Sequence, residues 1–347
     1  MPHAPIFILG ANRSGTTLLR LMMNAHPHIG IPEEMQYFHS RYGDVSVHDW
    51  RKPPFSPAEY ATHVRTYAER AARLHPELNA DALTTAILSD GPYDLRRPYR
   101  ILLETWAGLH GKVRWGEKTP GNVFFVDVLY AMFPEARFVH VVRDPRAGVA
   151  SMQKVSFFLD DVAFNAMIRR SYADACTHFQ TLVPPDQWTT LRYEDLVRAP
   201  EKTLRTLLAF LDEPYDPQVL HFHQTADRYM KDDAAATFNA RATRPVSTAS
   251  LDRWKDTLAS EEVALVETVC AEEMERYAYT PTAVPLPWNR RVSLGAKSAY
   301  WMLQMWRNRD DREHLVRYLP FARLRSILQQ ARRRMLPAPL RPSSTEM

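Results

Sequence analysis

Cysteine is almost missing: of 347 residues only Cys176 and Cys270 are cysteines, far apart in stretches of helical spacing. A disulfide framework or a thiolate metal site therefore has no basis, and two part-buried free thiols are expected. No run of about 18 apolar residues occurs, so no segment is suited to span a bilayer. The first extended piece begins at Pro5 with no basic stretch before it. Neither a spanning helix nor a cleaved leader is expected from that, and cytoplasmic residence is the expectation. Internal repeats and low-complexity tracts are lacking too. The histidine pairs His26/His28 and His221/His223 have no third ligand at a recognisable spacing, so no metal is expected. Nothing points to nucleic acid as a partner.

What is there is a globular chain. With 45% hydrophobic residues it can bury a sizeable core, and its length suits one large domain or a domain with an appendage. The net charge of +4 is unevenly spread: residues 285–347 carry 13 Lys/Arg against 4 Asp/Glu, leaving 31 against 36 for residues 1–284. This places a boundary near 284, with a slightly acidic main body and a basic C-terminal extension. The run 299–306 is rich in large apolar groups and is flanked by Arg290, Arg291, Lys297, Arg307 and Arg309, a mixture found on membrane-surface helices. Packing onto the main body or a second subunit is expected ahead of a membrane contact. A further helix is expected over 315–328, with Arg332, Arg333 and Arg334 at its C-terminal end.

Along the main body, Pro5 to Leu9 is a short apolar run bounded by Pro and Gly, as a strand buried on both faces of a parallel sheet would be. A turn over Gly10 to Gly15 and a helix over Thr16 to Ala25 follow. Helical spacing broken by Pro76, Gly91, Pro92 and Pro98 predicts short helices within residues 56–110, part of an insert over about 35–110 that shapes an acceptor cleft. The chain then alternates. An extended piece at 113–115, a helix over 123–132 and a strand over 137–142 come first. A helix opening at Pro145, a long helix over 162–182, a strand over 188–193 and a helix over 200–211 follow. Strands alternating with helices predict a doubly wound, P-loop-like α/β fold with a parallel sheet.

The stretch Gly10-Ala11-Asn12-Arg13-Ser14-Gly15-Thr16-Thr17 has the G-x-x-x-x-G spacing of a phosphate-binding loop between strand and helix, where backbone N–H groups favour an anion. A nucleoside-triphosphate loop has Lys after its second Gly. Thr16 stands there instead, and the cation has moved forward to Arg13. A second constellation runs from Val141 to Ser151, a buried strand ending in Arg143 and leading into a helix. Ligands in open α/β sheets sit outside the carboxyl ends of strands, so Arg143 and Ser151 can hold one phosphate together. Asp144 after an apolar strand is the pattern of a magnesium site, but Arg143 beside it opposes a cation.

With these residues in place, the chain resembles the PAPS-dependent sulfotransferases, where PAPS is 3′-phosphoadenosine-5′-phosphosulfate. The likeness is to the branch holding the tyrosylprotein sulfotransferases and bacterial relatives. It rests on Arg13-Ser14-Gly15-Thr16-Thr17, Ala25-His26-Pro27 with Glu33-Glu34, and Gly116-Glu117-Lys118-Thr119-Pro120. Val142-Arg143-Asp144-Pro145-Arg146 through Ser151, Arg192-Tyr193-Glu194-Asp195-Leu196 and Arg253-Trp254 complete it, in the family's order over roughly residues 5–280. The resemblance implies that the loop from Arg13 through Ser14, Gly15, Thr16 and Thr17 grips the 5′-phosphosulfate end of PAPS. Arg143 and Ser151 would bind the 3′-phosphate, with a hydroxyl from Tyr193 and a cation from Arg253. It further implies that Glu34 is the general base and Lys118 stabilises the leaving phosphate oxygen, with Arg13 a third catalytic residue. Glu33 stands as the alternative base.

The chemistry calls for such groups in any case. Charge developing on a leaving phosphate needs a cation, and a hydroxyl acceptor needs a carboxylate within hydrogen-bond reach, which contributes roughly 10²–10⁴-fold. Met35-Gln36 replaces the Thr-Arg step that follows the Glu pair in tyrosylprotein enzymes, and Thr119 replaces an Asp. The acceptor is therefore open among small molecule, carbohydrate, lipid and peptide. The rival readings are a kinase or NTPase acting on ATP and a non-catalytic nucleotide-binding protein.

Overall fold

The computed structural model describes residues 3–39, 50–51, 53, 55–89, 91–155, 160–230, 242–282, 286–290, 292–293, 296 and 300. The helices expected over 299–306 (residue 300 apart) and 315–334 lie outside the described residues. At the centre is strand β1 (Ile6–Leu9), whose four side chains are at most 1% exposed. An apolar strand without alternation is what burial on both faces demands. The remaining strands are β2 (Ile29–Gly30), β3 (Arg114–Glu117), β4 (Arg137–Val142) and β5 (Trp188–Arg192), in the order β2-β3-β1-β4-β5. All four pairings are parallel. The two-residue β2 carries too little pattern to be read from sequence.

Helix α1 (Thr16–Ala25) follows the loop after β1 with the bounds expected. The insert supplies α2 (Pro57–Leu74), α3 (Ala80–Leu88) and α4 (Arg96–Leu109). Ser56 and Glu59 close a capping box around Pro57 at the start of α2, and the Asn79 side chain caps α3. Residues 120–132 divide: Pro120–Phe125 is a 3₁₀ helix and only α5 (Val126–Met132) is α-helical. Then come α6 (Pro145–Met152), α7 (Val162–Gln180), α8 (Tyr193–Arg198) and α9 (Pro200–Phe210). The helices Ser260–Val269 and Ala271–Arg276 lie beyond them.

Aromatic rings fill the space beside the sheet. Phe7 lies 5.5 Å from Phe138, 5.9 Å from Phe133 and 6.0 Å from Trp115, and Tyr99 of α4 reaches the same group. The insert is thus anchored in the main core, and its own small cluster of Tyr60, Val64 and Ile87 holds α2 on α3.

Registers fix what meets what. Leu9 pairs with His140, Phe7 with Glu117 and Val142 with Arg192. The segments after β1, β3, β4 and β5 therefore emerge at one edge of the sheet.

Candidate active site

The loop after β1 is shaped by backbone conformations few residues adopt. Gly15 has φ 98°, and a Cβ there would come within 2.3 Å of a ring carbon of Tyr193. Arg13 takes φ 65°, which costs a non-glycine residue about 1–2 kcal/mol. Gly15 caps α1 without a side-chain acceptor, so the first N–H groups of the helix remain for an anion. Ser14 is fully buried, and its Oγ has no partner.

Arg143 follows β4 and Tyr193 follows β5, so the register brings them level. The guanidinium lies 4.4 Å over the Tyr193 ring. It donates to the Arg13 carbonyl (3.1 Å) and the Ser250 carbonyl (3.2 Å), and its Nε is buried without a partner. Burial lowers its pKa. An arginine held this way, with its buried Nε–H unspent, suits an anion that completes its hydrogen bonds. Tyr193 Oη and Ser250 Oγ are hydrogen-bonded at 3.0 Å. Arg13 donates from Nε to Ser151 Oγ at 3.0 Å, so its side chain is turned toward Ser151. Burial, then the Arg143 charge, lower the Arg13 pKa.

These groups face one cleft of about 580 Å³, lined by Arg13, Gly15, Thr16, Thr17, Arg143, Ser151, Tyr193 and Arg253, among others. Lys154 and Arg244 bring its cations to five, and among the described residues no carboxylate lines it. Lys154, Arg244, Ser247 and Ser250 were not read from the sequence. Lys154 stands two residues past the end of α6, where no helical spacing marks it. The serines lie in a segment with no pattern to read.

Asp144 is spent elsewhere. It accepts from the Arg146 backbone N–H and pairs with the Arg146 guanidinium at 2.7 Å, and Arg146 also reaches Glu267 at 2.6 Å. The magnesium-like pattern in the sequence is therefore a helix cap with a buried ion pair.

Glu34 and Lys118 form a second group beside the cleft. Lys118 Nζ donates to Glu34 Oε1 at 2.5 Å and lies 3.5 Å from Thr17 Oγ1, which ties the pair to the loop. Lys118 is 4% exposed at its side chain and Glu34 37%, so the carboxylate is the partner open to an incoming molecule. Glu33 points the other way, to the buried Arg20 at 3.5 Å. Next to Lys118, Glu117 accepts from Thr119 Oγ1 (2.5 Å), the Thr119 N–H (3.1 Å) and the Asn122 amide. Burial pushes its carboxyl up to about 7, against the Thr119 hydrogen bond and the Lys118 charge, which pull it down.

His26, His28 and Glu213 bring ligand atoms within 4.8 Å of one another. Both His26 nitrogens are engaged: Nδ1 accepts from the His28 N–H and Nε2 donates to the Pro214 carbonyl. Glu213 pairs with Arg114 at 3.0 Å. The cluster is a hydrogen-bonded brace between the β2 approach and the end of α9.

The chain is similar to known proteins in sequence and in fold. The sulfotransferase family profile matches residues 5–217. The chain is 27% identical over 304 residues to protein-tyrosine sulfotransferase A of Caenorhabditis elegans, covering 84% of this chain and 71% of that protein. It is 28% identical over 293 residues to protein-tyrosine sulfotransferase 1 of Danio rerio, covering 82% and 75%. The fold is that of the sulfotransferase domain from the Synechococcus PCC 7002 olefin synthase, with a TM-score of 0.53 at 22% identity over 82% of this chain and 96% of that one.

Proposed function

The chain belongs to the sulfotransferase family, and from that premise we propose that it transfers the sulfuryl group of PAPS to an acceptor hydroxyl, with Glu34 as base and Lys118 as leaving-group cation. The observation that carries this reading is the 2.5 Å Lys118–Glu34 contact beside a cleft lined by five cations. PAPS supplies an activated sulfuryl group on a phosphate leaving group. The residues fit such a donor: the Gly15 loop and α1 N-terminus suit its 5′ end, and the unspent Nε of Arg143, with Ser151 and Tyr193, suits a second phosphate. Arg13 bridges the two regions, because its backbone carbonyl holds Arg143 and its side chain holds Ser151.

At the reacting end, Glu34 takes the acceptor proton and Lys118, drawn from Glu34 toward the leaving oxygen, offsets the charge that develops there. Arg20 holds Glu33 on the interior side, which supports Glu34 as the base. No step asks for a metal. The acceptor enters from the side of the insert, and Met35-Gln36 and Thr119 are where this chain departs from the tyrosylprotein pattern.

Adenosine 3′,5′-bisphosphate at about 100 times its Kd should stabilise the fold by about 2.7 kcal/mol, read as a rise in Tm, and ATP with magnesium should do so less. Stabilisation by ATP alone would sink the donor assignment. Glu34→Gln should keep bisphosphate binding and lose transfer of label from PAPS into an extract of source cells by roughly 10²–10⁴-fold. Unchanged transfer would pass the role to Glu33.

A further inference from the structure

Glu117 has no place in the chemistry above, yet it is 1% exposed and adjoins Lys118. Burying a carboxylate is costly unless its oxygens are satisfied, and here three donors converge on it from Thr119 and Asn122. Thr119 Oγ1, while donating to Glu117, accepts the Gln36 backbone N–H at 3.3 Å. Gln36 lies two residues past Glu34 with φ 48°, a left-handed turn that needs holding. Both ends of the Lys118–Glu34 contact are thus tied to one carboxylate, Lys118 as its chain neighbour and Glu34 through Thr119 and Gln36. The same network reaches the insert. Arg70 of α2 donates to Gln36 Oε1 at 3.0 Å, and Asn122 donates to Tyr99 Oη of α4 at 3.4 Å.

We propose that Glu117 is the positioning residue of this site, holding the Glu34 carboxylate and the Lys118 ammonium in register through Thr119 and linking that pair to α2 and α4. It touches neither donor nor acceptor. A purely local role, fastening the 3₁₀ turn Pro120–Phe125 to β3, would account for the bonds from Asn122 and the Thr119 N–H. It leaves unexplained why Thr119 Oγ1 spends its acceptor capacity on Gln36. A relay of this kind makes the rate at saturating donor sensitive to Thr119 while donor binding is not, because Glu117, Thr119 and Gln36 are absent from the cleft lining.

The proposal rests on the roles given above to Glu34 and Lys118, and the test separates the two. Wild type, Thr119→Val, Thr119→Ser, Glu117→Gln and Glu34→Gln are compared in two measurements. One is the rate of label transfer from saturating PAPS into an extract of source cells; the other is calorimetric affinity for adenosine 3′,5′-bisphosphate. Thr119→Val and Glu117→Gln should lose about 10–10²-fold in rate, the scale of a misplacement near 1 Å. Their bisphosphate Kd should stay within about twofold of wild type, as for independent sites. Thr119→Ser should restore the rate. Where Glu117→Gln does not fold, the Thr119 pair decides alone. Thr119→Val at the wild-type rate beside an inactive Glu34→Gln overturns the relay and leaves the base intact. Loss of bisphosphate binding in step with rate, or failure of Thr119→Ser to rescue, overturns it as well. Glu34→Gln at the wild-type rate removes the premise instead.

Discussion

Glu33 and Glu34 are chain neighbours with opposite fates, and their partners explain why. Arg20, buried in α1 and bonded to the Ile31 and Tyr229 carbonyls, holds the first; the second, more exposed, meets the buried Lys118. Residue type alone cannot distinguish two adjacent carboxylates, whereas their own exposure does, 22% for Glu33 and 37% for Glu34. Glu117 adds a third case. Its carboxyl is raised from 4.5 to about 7, chiefly by burial, so ionising it disfavours the fold relative to the unfolded chain. That penalty is absent below the unfolded value, grows through the interval between the two values, and is complete above about 7. Glu117→Gln carries no such charge. Its Tm relative to wild type should therefore rise between pH 5 and pH 8, measured by calorimetry in buffers of matched ionic strength. A Tm difference that is flat over that range would contradict an elevated Glu117 carboxyl.

At the scale of elements, five short parallel strands each deliver one part of the site just beyond their carboxyl ends. β1 supplies the loop, β2 leads to Glu34, β3 to Lys118, β4 to Arg143 and β5 to Tyr193. The packing between these segments is close, and Gly15 shows how close. A methyl group at Gly15 would collide with the Tyr193 ring and would hold a left-handed φ. Gly15→Ala should cost about 1–2 kcal/mol of stability from the backbone alone. It should also weaken bisphosphate binding by displacing Tyr193, which a titration would detect. Bisphosphate affinity equal to wild type would mean that the Tyr193 ring is not part of that site.

For the whole molecule, the cation-lined cleft and the insert share one core. Phe7 is fully buried against rings of β3, β4 and α4, so the sheet that carries the cleft segments also anchors the helices of the insert. Phe7→Ala should destabilise the fold by about 3–5 kcal/mol, read from urea unfolding. Because the insert is tied to the same core, unfolding followed at the sheet and at α2–α4 should give a single transition. Two separated transitions would show the insert to be an independent unit.

Local composition carried much of this into the sequence. The apolar run of β1, the Gly10–Gly15 spacing, the displaced cation at Arg13, and the strand-to-helix step at Arg143 and Pro145 are written in consecutive residues. Strand and helix periods therefore show there without any tertiary contact, and α1 and β4 have the bounds expected. What consecutive residues cannot carry is which distant groups meet. The parallel registers, set by side-chain packing between strands far apart in the chain, decided that Arg143 lies over Tyr193. They also decided that Lys118 reaches Glu34 and that Arg146 reaches Glu267. Ser250 and Lys154 enter the cleft by the same route, as does the chain of bonds from Glu117 to Gln36. Their sequence surroundings hold no signal, because their positions are a property of the assembled fold and not of any segment of it.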